Sequence, residues 1–179
     1  MKNNNLQRGH QHLLNRYTNF ASHMLTLTMK DDISVHAARS AVRYFITKLN
    51  WEMHGNRSRA ARTKSKCRII AIPVIEGQNG NKRIHAHLII GNVPSERNEN
   101  FGKTIQGIWN STKGSMPRVD LTPLHDTDGT SFYLAKEVGY INNDAIAWDL
   151  SSVPSVLHTT PKKQTVAEAR RILAAQSNK

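Results

Sequence analysis

Two histidines one residue apart inside an apolar run, RIHAHLII from Arg83 to Ile90, constrain this chain more than any other stretch. Side chains of a β-strand alternate between faces with a period of two. His85 and His87 therefore share one face, and Ile84, Ala86, Leu88 and Ile90 share the other. One face is apolar enough to be core. The opposite face carries two imidazoles side by side, a pair of metal ligands. The fold must then be built on a sheet whose two faces differ.

The other elements supply that sheet. SHMLTLTMK, Ser22 to Lys30, alternates cleanly, with Leu25, Leu27 and Met29 on one face and Met24, Thr26 and Thr28 on the other. Ser34 caps a helix in which Val35, Ala38, Val42, Phe45, Ile46 and Leu49 repeat at helical spacing as far as Trp51, and Gly55 stops it. CRIIAIPVIEG, Cys67 to Gly77, is a second strand, and Pro73 inside it suggests a sheet edge or a bulge. GQNGNK is turn material containing Asn79-Gly80, after which RIHAHLII returns antiparallel. An even-membered turn of two or four residues puts Glu76 on the face of His85 and His87. Ile70, Ile72 and Val74 share the parity of Glu76.

A second helix is expected from Ser95 to about Ser111, with Phe101, Ile105, Ile108 and Trp109 on its apolar side. Its FGKT resembles the end of a phosphate-binding loop, but Arg97 stands where that motif needs its first glycine. MPRVDLTPL, Met116 to Leu124, is a fourth strand with Val119 and Leu121 inward. After the turn-rich HDTDGT, a helix is expected to begin near Ser131. In SFYLAKEVGY that helix puts Tyr133, Lys136, Glu137 and Tyr140 on one stripe and Phe132, Ala135 and Val138 to the other side. One more strand is expected around Ala145 to Leu150. PKKQTVAEARRILAAQ reads as a terminal helix opened by a Thr165–Glu168 capping box. The fold class is therefore α+β, a ferredoxin-like split βαβ arrangement (βαββαβ). Its central antiparallel sheet has helices on one face and the other face open for a site. Residues 1–20 read as a polar arm or short helix, 21–150 as the folded domain, and 151–179 as a basic extension.

Charge narrows the partner. Lys and Arg number 25 against 13 Asp and Glu, a formal net charge of +12, which suits a polyanion. GNRSRAARTKSKCR contains Arg57, Arg59, Arg62, Lys64, Lys66 and Arg68 without an acidic residue, a stretch that repels itself unless phosphate is near. Thr26 and Thr28 offer hydroxyls on the polar face of the first strand. The lone Cys67 forms no internal disulfide and suits a reducing compartment. No apolar run approaches a membrane span, and the amino terminus is too polar for a signal peptide. A cytoplasmic protein that does not engage a membrane is the expectation. The second H-x-H, His10 and His12, lies in a polar stretch with nothing to fix the pair.

Two histidines and Glu76 on one sheet face can hold a divalent cation that polarises a phosphate oxygen. A nucleophile is then needed. Tyr133 is the best candidate, because Lys136 one helical turn on favours its phenolate. Cys67 has no histidine near it in sequence.

The combination resembles the HUH endonucleases, which initiate rolling-circle replication of plasmids, phages and small single-stranded DNA viruses. LTLT, Leu25 to Thr28, is similar to their first motif. IHAHLII is similar to their second, histidine–apolar–histidine on a strand. YLAKE, Tyr133 to Glu137, is similar to their third, a tyrosine followed three residues later by lysine. The likeness covers residues 22 to 140. It implies that Tyr133 attacks single-stranded DNA to give a 5′-phosphotyrosyl enzyme and a free 3′-hydroxyl. It also implies that His85, His87 and Glu76 hold Mg²⁺ or Mn²⁺, that Lys136 is the motif lysine, and that Glu137 assists at the metal. The expected partners are an origin or hairpin in single-stranded DNA and a helicase and polymerase borrowed from a bacterial host. Tyr140 lies further from Tyr133 than in two-tyrosine members, so one catalytic tyrosine is expected.

Other H-x-H proteins fit less well. Amidohydrolases need a longer barrel, metallo-β-lactamase-like hydrolases want Asp-His where Leu88-Ile89 stand, and two-histidine phosphoesterases use His-x-Thr twice. A transposase or relaxase of the same superfamily is the near alternative. A non-catalytic single-strand binder is the distant one, but its central strands carry stacking aromatics, and these strands have none.

Overall fold

A computed structural model describes residues 4–60, 67–77 and 83–154. The Asn79-Gly80 turn, Arg62, Lys64, Lys66 and the terminal helix expected at 161–176 lie outside the described residues. Four strands, β1 (Ala21–Met29), β2 (Ile70–Glu76), β3 (His85–Gly91) and β4 (Ser115–Pro123), form one sheet in the order β2-β3-β1-β4. Every neighbouring pair is antiparallel. With helix α2 (Val35–His54) joining β1 to β2 and α3 (Phe101–Asn110) joining β3 to β4, this is the expected split βαβ frame.

One face follows directly from the alternation. Leu25, Leu27 and Met29 of β1, Ala71 and Ile75 of β2, and Ala86, Leu88 and Ile90 of β3 are buried with Val42, Phe45 and Leu49 of α2 and Ile105 and Trp109 of α3. Phe45 and Trp109 meet edge to face, and Trp109 Nε1–H donates to the Thr28 carbonyl at 3.2 Å. Ser34 caps α2 by accepting from the Ala37 amide at 3.2 Å. Gly55 at φ 56° closes the helix, its amide bonded to the Trp51 carbonyl. Trp51 itself is largely exposed. The run expected as one helix from Ser95 breaks into a short turn, Ser95–Arg97, followed by α3.

The opposite face is open at one end only. Ile72, Val74 and Ile89 share the parity of Glu76 and the histidines, and they must be covered. Two further elements do this: α1 (Asn4–Thr18) and α4 (Thr127–Leu134). Leu14 of α1 and Leu134 of α4, with Ala135, Val138, Ala145 and Ile146, bury that half of the face in a second core. The amino-terminal segment is thus a docked helix and not a free arm. Its signal was legible in retrospect, since Leu6, Leu14 and Tyr17 all pack on this cluster. Thr18 and Ser131 meet in the seam between α1 and α4 at 3.4 Å.

No regular strand forms at Ala145–Leu150. Isolated bridges join Val74 to Ile146 and Ala71 to Ser152 along the free side of β2. Pro73, on that side, lacks an amide but accepts there from the Ala147 amide at 2.9 Å. The edge alternative for Pro73 therefore holds, and the β2–β3 register is unbroken. Buried Asn50 secures the same seam, donating to Ser152 Oγ and accepting from the Ile69 amide, each at 3.0 Å.

Replacing Leu14 with Ala, which removes a fully buried side chain from α1, is expected to cost about 2–5 kcal/mol. Urea unfolding measures this, and an unchanged midpoint would mean that α1 does not dock.

Candidate metal and nucleophile site

The uncovered end of the second face collects the candidate residues. The register pairs His85 with Glu76 on one side and with Thr28 on the other, and His87 with Val74 and Thr26. Eight residues, 77–84, separate the Glu76–His85 pair. The connection is longer than a tight hairpin but still even-membered, so Glu76 lands on the histidine face. Ligand atoms of Glu76, His85 and His87 all lie within 4.8 Å of one another.

The hydrogen bonds orient both rings. His87 Nδ1 is 3.0 Å from Thr26 Oγ1, and His85 Nδ1 is 3.0 Å from the Arg83 carbonyl oxygen. That carbonyl can only accept, so His85 carries a proton on Nδ1, while its Nε2 faces Glu76 Oε2 at 3.6 Å and can ligate only when unprotonated. With Nδ1–H donated to Thr26, His87 presents Nε2 as a lone pair. Such outer partners fix the tautomer of a metal-ligating histidine. His87 Nε2 and Glu76 Oε1 are buried without a hydrogen-bond partner among the described residues, and buried polar atoms seldom go unpaired. Two imidazole nitrogens and one carboxylate oxygen make a mixed donor set that suits a divalent cation and leaves coordination positions for substrate. This group can bind a metal ion.

Its charges are mutually adjusted. Burial pushes the Glu76 carboxyl up, but hydrogen bonds from His85 and Lys136 and the charges of His87 and Lys136 outweigh it and hold the group below its ordinary value. The Glu76 hydrogen bond holds His85 above its ordinary value against burial. Burial lowers His87 to about 4, which keeps it neutral and able to ligate at pH 7.

Tyr133 projects from the last turn of α4 over this group. Its ring centroid is 5.6 Å from that of His87, and its side chain is 43% exposed. The helix begins at Thr127, earlier than expected, because Asp126 caps it through the Gly129 amide at 2.9 Å. Gly129 favours this cap, since a Cβ there would come within 2.9 Å of the Asp126 carboxyl carbon. The α-helix stops at Leu134, and Lys136 and Glu137 lie in the turns that follow. The expected stripe of four is therefore not one helical face. Lys136 still reaches back, its Nζ 3.5 Å from the Tyr133 ring centroid and 2.8 Å from Glu76 Oε2. Glu137 does not join the three-residue group, and its carbonyl takes the amides of Ile141 and Asn142. Tyr140 is 68% exposed, and Phe132, expected on the packed side, is exposed beside Tyr133.

A cleft of about 310 Å³ joins these parts, lined by Thr26, Thr28, Arg83, His85, His87, Arg118, Asp120 and Tyr133. Arg118 and Asp120 were missed in the sequence. Their only signal was the alternation of β4, which places them opposite Val119 and Leu121 and therefore on the histidine face. Arg83 pairs with Asp31 through both ends of its guanidinium. A larger cleft of about 800 Å³, under the start of α2 by Ile33, Tyr44 and Gly114, contains none of the candidate ligands.

The described residues of the basic stretch lie elsewhere. Ile70 pairs with Gly91 at one end of β2 and Glu76 with His85 at the other, a separation of about 20 Å along the strand. Arg57, Arg59 and Arg68 belong to the Gly91 end, remote from the histidines. His10 accepts from Trp148 Nε1–H at 3.2 Å, a packing role, and neither His10 nor His12 joins a metal-ligating group. Among the described residues, no helix is long and apolar enough to cross a membrane.

Protonation can be read directly. An NMR titration of the metal-free protein is expected to show His87 titrating at about 4 and His85 above its ordinary 6.5. Since unfolded His87 binds its proton near 6.5, this residue should cost stability progressively as pH falls from 6.5 to about 4. Coincident midpoints near 6.5 would contradict the buried, neutral ligand. No family model, curated protein or solved structure matches the chain.

Proposed function

We propose that this protein is a metal-dependent enzyme of the HUH type that nicks and rejoins single-stranded DNA, with Tyr133 as its nucleophile. One observation carries the reading. Glu76 from β2, His85 and His87 from β3, and Tyr133 and Lys136 from the α4 region come into one group beside an open cleft, although Glu76 and Lys136 stand far apart in the chain. A structural tyrosine has no need of a lysine over its ring and a ligand set beneath it.

In this reading Tyr133 Oη attacks the scissile phosphorus as its proton departs. The P–O bond to the 3′ side breaks, the leaving oxygen takes up a proton as a 3′-hydroxyl, and the 5′ phosphate stays esterified to Tyr133. Attack by a 3′-hydroxyl on that ester reverses the step and joins ends. A bound Mg²⁺ or Mn²⁺ supplies Lewis acidity to the phosphate oxygens. The Lys136 ammonium, 3.5 Å from the ring centroid, holds Tyr133 over the ligand group. Arg118, which has no carboxylate partner among the described residues, and the hydroxyls of Thr26 and Thr28 receive the DNA backbone in the cleft. Exposed Phe132 offers a face on which a neighbouring base can stack. As a replication initiator in a bacterial cytoplasm, the protein would act with a host helicase and polymerase.

A pool of single-stranded oligonucleotides with Mn²⁺ tests the chemistry on a denaturing gel. A slow-migrating covalent adduct is expected from the unaltered protein and from Tyr140→Phe, and none from Tyr133→Phe, from His87→Ala or with a chelator. Adduct persisting in Tyr133→Phe would displace the nucleophile. Absence of any adduct, with metal-independent binding, would favour a non-catalytic single-strand binder. In a binding titration against salt, Arg118→Ala should weaken DNA binding and reduce the slope by about one. Arg59→Ala should affect cleavage less than Arg118→Ala, and the reverse order would place the DNA path at the other end of the sheet.

A further inference from the structure

The Glu76 carboxylate is wanted by two cations. Its side chain is buried, and Oε2 takes the Lys136 ammonium at 2.8 Å while His85 Nε2 stands 3.6 Å from the same oxygen. The same carboxylate belongs to the three-residue group that can hold a metal. Lys136 comes from the turn after α4, and its ammonium also lies 3.5 Å from the Tyr133 ring centroid. One flexible side chain therefore bridges the metal-ligating carboxylate and the nucleophile.

A buried carboxylate left without a counter-charge is strongly destabilising. In the arrangement seen, Lys136 supplies that charge. A divalent cation on Glu76, His85 and His87 would put two positive charges beside the ammonium in a site too sheltered for water to screen them fully. We propose that Lys136 is a tethered competitor for the metal. It neutralises Glu76 in the metal-free protein, leaves that carboxylate when a divalent cation arrives, and stays with Tyr133. Lys136 is then a positioning residue whose allegiance reports whether the site is loaded. Metal entry passes the ammonium from Glu76 to the tyrosine, so the nucleophile receives its undivided charge only when the metal is present. This inference rests on the metal-site reading of Glu76, His85 and His87.

Isothermal titration with Mn²⁺ at fixed pH and ionic strength tests it on the full chain, using Lys136→Met, Lys136→Arg and Glu76→Gln beside the unaltered protein. Lys136→Met should bind Mn²⁺ about tenfold more tightly, since a competing unit charge at this range is worth at least that factor. Lys136→Arg, which keeps the charge, should bind like the unaltered protein, and Glu76→Gln should bind more weakly. Thermal unfolding gives a second readout. Lys136→Met should melt below the unaltered protein without metal and gain more from saturating Mn²⁺. Should Lys136→Met not fold, Lys136→Gln carries the same expectations. Mn²⁺ binding confined to Lys136→Met and Lys136→Gln would support competition in its strongest form. Equal or weaker binding by Lys136→Met and Lys136→Gln, with the unaltered protein still binding, overturns the competition alone. No binding by any of them removes the metal site and this inference with it.

Discussion

Everything at the site depends on how β3 is paired. The strand is held on both sides, by β2 and by β1, and its register sets Glu76 against His85 and Thr26 against His87. A slip of one residue in a strand exchanges its faces. On β3 it would bury the imidazoles against Leu25 and Leu27 of β1 and turn Ala86, Leu88 and Ile90 to the opposite face. The apolar core therefore protects the candidate metal-ligating geometry against a one-residue slip, which would bury the wrong side chains.

The polar cluster is sustained by mutual compensation. Glu76 stays ionised because His85 and Lys136 surround it, and His87 stays neutral because burial outweighs the carboxylate nearby. Thr26 and the Arg83 carbonyl hold the rings so that their Nε2 atoms face the same space. None of these groups would be tolerated alone at this depth. Together they form a site whose ligands are aimed before a cation arrives, with a lysine tied into the same network.

The second core shows how a polar site coexists with a sheet face that is half covered. On β2, Ile72, Val74 and Glu76 share one face but meet different ends of it. The first two lie under α1 and α4, while Glu76 lies beyond that cover. The cover also positions Tyr133, the proposed nucleophile. The α4 residues that pack the core, Leu134 and its neighbour Ala135, follow directly on Tyr133, so docking the helix fixes where the tyrosine stands. The basic residues Arg57, Arg59 and Arg68, prominent by composition, gather at the far end of the sheet. Arg118, isolated in sequence, lines the cleft.

The sequence by itself determined the order of the four sheet strands and the two helices between them, the apolar faces of β1 and β3, and the sharing of one face by His85 and His87, which Glu76 joins if the turn is even-membered. These are local periodicities and parities, and the chain writes them in consecutive residues. It did not determine that residues 4–18 dock as a helix, because α1 shows only a thin stripe of Leu6, Leu14 and Tyr17 among polar neighbours. Nor did it determine where α4 ends, because the YLAKE spacing is compatible with a helix that the turns after Leu134 interrupt. Only the tertiary structure brought Arg118 to the histidines, placed Arg57, Arg59 and Arg68 at the other end of the sheet, and set Lys136 between Glu76 and Tyr133. Those outcomes depend on which ends of strands meet and on what covers each half of a face, and both are settled by packing between segments far apart in the chain.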